Sequence, residues 1–227
     1  MNRWLCCLLG GVLLGLTGGA AAAESSAVTG LKWDSKPTSA QIAAGKALSM
    51  SCAGCHGAAG NSVSADFPNL SGLNYIYLYK QLLDFKRGAR KSPIMAPMVL
   101  ALSEQNLRDL AAYYSEQNYS PATGANEDDA ERQDKAGLLE LGKRIYEQGV
   151  TASGVTACIR CHGAGAAGRV GHFPRLAGQH AKYLAVQIKA FKAGRRSNDA
   201  GKMMEHVALP MSEREIEAVA FYLQSLR

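Results

Sequence analysis

The sequence predicts an all-α fold built twice over, and three observations predict it. Apolar residues recur at helical spacing in several segments, alternating strand-like runs of useful length are absent, and the second half of the chain repeats the first at a fixed offset. An offset of 106 carries Phe67, Pro68, Leu70 and Gly72 onto Phe173, Pro174, Leu176 and Gly178, and Tyr77, Gln81, Phe85 and Arg90 onto Tyr183, Gln187, Phe191 and Arg196. It then becomes 109, taking Met95, Ser103 and Tyr113 to Met204, Ser212 and Tyr222. One register shift within so many identities indicates a duplicated domain.

Residues 1–23 read as a secretory leader. Arg3 gives a short positive region, Leu5 to Leu16 an apolar stretch, and Ala21-Ala22-Ala23 a small-residue cleavage site. A retained membrane anchor is the rival, because Trp4 to Ala23 is uncharged, but its second half is mostly Gly, Ala and Thr, poor material for a membrane helix. A first domain is expected over 24–120 and a second over 136–227. The linker, 121–135, opens with the polar run Pro121 to Asp129.

Within each domain a first helix leads in, over Ala40 to Met50 and Leu138 to Gln148. A middle helix follows, Tyr75 to Arg87 and Ala181 to Lys192. Leu78, Leu82 and Phe85, repeated as Leu184, Ile188 and Phe191, share one face, and Gly88 and Gly194 end these helices. The last helices start at Ser103-Glu104 and Ser212-Glu213, with serine suited to the N-cap and glutamate to the helix dipole.

The chemistry sits between the first and middle helices. Cys52-Ala53-Gly54-Cys55-His56 and Cys158-Ile159-Arg160-Cys161-His162 are two copies of C-x-x-C-H. Two thiols at this spacing reach the two vinyl groups of one porphyrin, and the next histidine is directed at its iron, so two covalent haem c groups are predicted. A zinc knuckle sets its C-x-x-C pairs closer together, and a redox dithiol needs no following histidine. Cys6 and Cys7 leave with the leader, so the mature chain keeps four of six cysteines, all in these motifs, and none for a structural disulfide.

A carrier and a catalyst differ in the sixth iron ligand, because a blocked iron passes electrons and an open one binds small molecules. Met95 and Met204 are the candidates. Each stands eight residues before its capping serine, each follows a loop rich in Gly, Lys, Arg and Ser, and they are repeat-equivalent. A lone methionine would read as core filler. Met98 and Met203 lack a repeat partner and come second; His206 faces Pro97 in the repeat and reads as a surface residue. His172 and His180, opposite Asp66 and Asn74, read as polar or propionate-side residues. Pro68 and Pro174 each lie twelve residues after their histidine, and their carbonyls are expected to orient His56 and His162; the alternative is that Phe-Pro simply turns the chain.

The formal charge of +6 falls once Arg3 and two haems are counted, to about +3 oxidised and about +1 reduced. With basic residues scattered, this is too weak to point to nucleic acid, and no nucleic-acid partner is expected. Residues 136–227 carry 13 basic and 7 acidic side chains against 9 and 7 in residues 24–120, so an acidic partner should prefer the second half.

With both haem motifs, both methionines and the Phe-Pro-x-Leu-x-Gly segment in place, the chain resembles the cytochrome c4 family of dihaem electron carriers. The resemblance runs from Gly45-Lys46 to Phe221-Tyr222 and includes Gly-x-x-x-x-Tyr-Leu-x-x-Gln at Gly72 to Gln81 and again at Gly178 to Gln187. It implies two tandem class I cytochrome c domains, Met95 and Met204 as distal ligands, and a periplasmic location. It also implies an upstream donor, either a quinol-oxidising complex or a small periplasmic redox protein, with a membrane cytochrome oxidase downstream; peripheral membrane association is compatible with that route. The longer lead into the second haem motif, Gly149 to Ala157, departs from the pattern. Two other functions compete: an electron-transfer subunit of a dehydrogenase or oxidase, and a dihaem peroxidase. The peroxidase would need one vacant iron and a neighbouring acid/base residue, whereas the same methionine recurs in both halves.

Overall fold

Two sets of helices, arranged in the same order, account for the repeat. The structure is a computed structural model that describes residues 35–121 and 129–227, the stretch 129–135 as backbone only. The expected leader and the centre of the expected linker lie outside these residues. The first domain contains α1 (Ser39–Leu48), α2 (Met50–His56), α3 (Tyr75–Arg87), α4 (Met95–Leu100) and α5 (Glu104–Ser115). The second contains α6 (Asp129–Gln148), α7 (Ile159–His162), α8 (Ala181–Lys192), α9 (Met203–Ala208) and α10 (Glu213–Ser225). Among the described residues the only extended pairing is an isolated bridge, Val150 to Val155, which folds the long lead before α7 into a tight turn.

The expected helices are present, with one extension. α6 begins at Asp129, inside the segment read as linker, instead of at Leu138. Residues 129–135, Asp-Ala-Glu-Arg-Gln-Asp-Lys, contain no glycine, proline or β-branched residue and two early acids, so nothing in their chemistry stops the helix from starting there. The last helices carry reciprocal caps. Ser103 Oγ accepts from the Asn106 amide while Asn106 accepts from the Ser103 amide, and Ser212 and Glu215 do the same.

In each domain the first and last helices cross in close contact, and a glycine makes the crossing possible. A methyl group at Gly45 would lie 1.9 Å from the Asp109 carbonyl oxygen of α5, and one at Gly142 would lie 2.1 Å from that of Ala218 in α10. Around these crossings Leu83, Leu107 and Leu110 fill one core, and Ile145, Ile216, Val219 and Leu223 the other.

The middle helices meet across the domain junction. Arg90 and Arg196 are both buried. Arg90 donates to Gln81 of its own domain and to Tyr183 and Gln187 of the other. Arg196 mirrors it, donating to Gln187 and, across the junction, to Tyr77 and Gln81. Each guanidinium also stacks on the phenylalanine of its own domain, at 4.6 Å for Arg90 on Phe85 and 4.4 Å for Arg196 on Phe191. Arginine suits such a hub because its rigid fork serves several acceptors at once.

Candidate cofactor sites

Helical spacing puts the two cysteines of each motif one turn apart. Cys52 and Cys55 lie on α2; Cys158 caps α7 and Cys161 lies within it. Both helices end on a glycine with φ of 77°, Gly57 and Gly163, where the chain turns back. A shared set of backbone bonds then shapes the return: Leu70 and Ser71 donate to the Gly60 carbonyl, and Leu176 and Ala177 donate to that of Ala166.

That return brings each proline carbonyl to its histidine. His56 Nδ1 lies 2.8 Å from the Pro68 carbonyl oxygen, and His162 Nδ1 lies 2.9 Å from that of Pro174. A carbonyl can only accept, so Nδ1 carries the proton and Nε2 keeps a lone pair. Both rings are 6% exposed. Burial holds both imidazoles below the ordinary histidine pKa, against the opposing effect of the proline bond. Among the described residues neither Nε2 makes a hydrogen bond.

A cavity in the second domain is lined by Cys158, Cys161, His162 and Met204, with Leu184, Ile188 and Phe191 on its wall. The apolar stripe of the middle helix therefore faces a cleft, and in the first domain the fully buried positions of α3 are instead Tyr79 and Leu83. Burial pushes the Cys158 thiol up to about 11. Met203 lines the same cavity but is 39% exposed, and Met98 in the first domain is 47% exposed. Met95 and Met204 are half-buried, each in the first turn of a short helix. Ser92 Oγ accepts from the Met95 amide at 3.1 Å, and the Asp199 carboxylate accepts from that of Met204 at 2.7 Å.

This donor set fits covalent haem: two thiols, a neutral imidazole with an oriented ring, a thioether and an apolar wall. It fits a zinc knuckle poorly, since among the described residues no group of three or more His, Cys, Asp and Glu side chains could hold a metal ion.

Some contributors escaped the sequence reading. Lys86 donates to the Leu100 carbonyl at the end of α4, and its repeat partner Lys192 donates to those of Leu209 and Met211 beyond α9. Each lysine thus ties a middle helix to a methionine-bearing one. Recurrence of this lysine at offset 106 was the available signal. His180 links the two domains, because its Nε2 lies 3.0 Å from the Ser62 carbonyl oxygen on the far side of the junction. Its repeat counterpart Asn74 caps α3 by accepting from the Ile76 and Tyr77 amides.

Comparison with known proteins agrees with this geometry. The cytochrome c family model matches residues 42–117 and 139–227. Cytochrome c4 of Pseudomonas aeruginosa is 36% identical over the full length of both chains. A thiosulfate dehydrogenase electron acceptor of Stutzerimonas stutzeri is 36% identical over 78% of this chain and 79% of its own. The crystal structure of reduced recombinant cytochrome c4 from Pseudomonas stutzeri superposes with a TM-score of 0.73 at 36% identity, covering 82% of this chain and 98% of that one. Duplicated haem motifs, duplicated helices and these likenesses converge: the chain belongs to the cytochrome c family and, within it, to cytochrome c4, the dihaem electron carriers with two covalently bound haem c groups.

Proposed function

We propose that the chain is a periplasmic electron shuttle with histidine–methionine ligation at both irons. Cys52 and Cys55 hold the first haem and Cys158 and Cys161 the second. His56 and Met95 ligate the first iron, and His162 and Met204 the second. The observation that carries this reading is the matched pair of histidine–proline bonds, which fixes the tautomer and orientation of two buried neutral imidazoles in repeat-equivalent places. Bound haem supplies a couple that exchanges one electron between ferric and ferrous iron. The chain supplies the rest: Pro68 and Pro174 hold the rings, Lys86 and Lys192 hold the methionine helices, and buried walls limit water. Thioether ligation raises the potential, which suits delivery to a high-potential acceptor.

The proposed route runs from a quinol-oxidising complex or a small periplasmic redox protein to a membrane cytochrome oxidase, after removal of residues 1–23. Among the described residues no helix is long and apolar enough to cross a membrane. The folding units proposed for the mature chain are 24–120 and 136–227, joined by 121–135. A second reading, an electron-accepting subunit of a dehydrogenase, draws support from the relative named for accepting electrons from thiosulfate dehydrogenase. Gel filtration of a native periplasmic extract separates the two: a stable co-eluting catalytic subunit favours the second reading.

Ligation is tested with carbon monoxide, which binds ferrous iron only where a position is open. The reduced wild type should take it up poorly. Met95→Ala should open the first haem alone and Met204→Ala the second alone. Rapid uptake by the wild type, or both haems opening in either variant, overturns the assignment.

A further inference from the structure

The arginine hub treats the two domains alike, but a second set of contacts does not. Met95 stands five positions after Arg90, and Met204 eight positions after Arg196. The longer loop contains the turn Ala200–Lys202, with Lys202 in the left-handed region at φ 55°. Just before that turn, Asn198 reaches the first domain. Its side chain donates to Asp84 at 2.6 Å and to Gln81 at 3.1 Å, and its carbonyl accepts from the Lys80 ammonium. Lys80 and Asp84 are themselves an ion pair one helical turn apart on α3, with side chains only 13% and 7% exposed. The next residue, Asp199, accepts from the Met204 amide. The chain of contacts therefore runs from a buried pair in the first domain to the backbone of the second methionine.

Among the described residues the first domain receives nothing equivalent in return. Offset 106 places Val186 and Ala190 where Lys80 and Asp84 stand, and neither side chain can hold an amide. Met95 takes its support from Ser92, three residues earlier in its own loop. The Lys80 side chain also lines the second domain's cavity, together with Tyr77 and Gln81. The cavity wall thus includes residues of both domains.

We propose that Lys80 and Asp84 are positioning residues for the second methionine loop, acting through Asn198 and Asp199, so that the second redox site depends on domain docking and the first does not. The inference rests on Met204 as an iron ligand. A buried ion pair suits this role because its groups hold fixed hydrogen-bond directions and lose heavily if left unpartnered.

The test uses the dihaem protein. Asp84→Ala and Asn198→Ala break the side-chain bond between Asn198 and Asp84 from opposite sides, so a folding failure in one leaves the other to decide. Lys182→Gln serves as the control: it removes an exposed pair with Asp66 across the same junction, away from the loop. Met204→Ala supplies the signature of a lost ligand. Both link variants should shift one of the two midpoint potentials and raise carbon monoxide uptake at the second haem about tenfold or more, through a larger open fraction. Lys182→Gln should do neither. If Met204→Ala opens the second haem while both link variants match wild type, positioning is overturned and ligation survives. If Met204→Ala itself changes nothing, the ligation reading falls. Equal shifts at both haems, or the same shift in Lys182→Gln, would show a general loosening of docking and overturn the one-sided coupling.

Discussion

Gly60 and Ala166 occupy the same corner of the two domains. Their carbonyls accept the same pair of backbone amides, and both residues have positive φ, 80° and 54°. The fold demands a left-handed residue here, and glycine is the natural answer. The second domain uses a buried alanine instead. The neighbour explains the difference. A methyl group at Gly60 would lie 2.7 Å from the Tyr114 ring and 2.9 Å from the Ser71 amide nitrogen. At the repeat position of Tyr114 the second domain has Leu223, a smaller side chain that leaves room. The backbone requirement is common to both halves, and the residue that meets it follows the local packing.

That comparison is sharpened first where the halves should behave alike. Gly45→Ala and Gly142→Ala each push a methyl group into a facing carbonyl, so each should cost about 3 kcal/mol or more by prising two helices apart. Native-state hydrogen exchange should show the loss in the substituted domain, and a variant that leaves its own domain's protection unchanged would refute the close crossing. The next pair should behave differently. Gly60→Ala combines left-handed strain with overpacking against Tyr114 and should cost about 3 kcal/mol. Ala166→Gly relieves strain but gives up a buried methyl group, so the net change should stay within about 1 kcal/mol. Denaturant unfolding of both variants measures the contrast, and equal losses would rule out the packing explanation.

Much of this was legible in the sequence because it is local. The middle and last helices declare themselves through spacing, stop glycines and serine caps, and C-x-x-C-H is a contiguous motif. The histidine–proline spacing could be read because the same twelve-residue interval recurs with the same two ends. Other features depend on which elements meet. Gly45 and Gly142 look like ordinary helix-weakening glycines until the crossing helix is present. His180 and Asn74 are repeat-equivalent, yet one crosses the domain junction and the other caps a helix. The change of offset from 106 to 109 was visible, but Asn198 acquires its role only when the longer loop lies against α3 of the other domain.

The smallest contrast concerns the capping serines. Ser103 and Ser212 have the same geometry, yet their reciprocal partners are neutral Asn106 and charged Glu215, and the first turn of α10 also carries Glu213. Replacing either serine with alanine removes one acceptor for a first-turn amide and should cost about 1 kcal/mol. Two carboxylates remain at the start of α10 to oppose the helix dipole, against Glu104 alone at α5. Ser212→Ala should therefore be the milder change at low ionic strength, by a few tenths of a kcal/mol. Salt screens charges at an exposed helix end, so the two losses should converge as ionic strength rises. Hydrogen exchange of the first-turn amides in low and high salt measures both numbers. A difference that persists in high salt would place its cause in packing, not in charge.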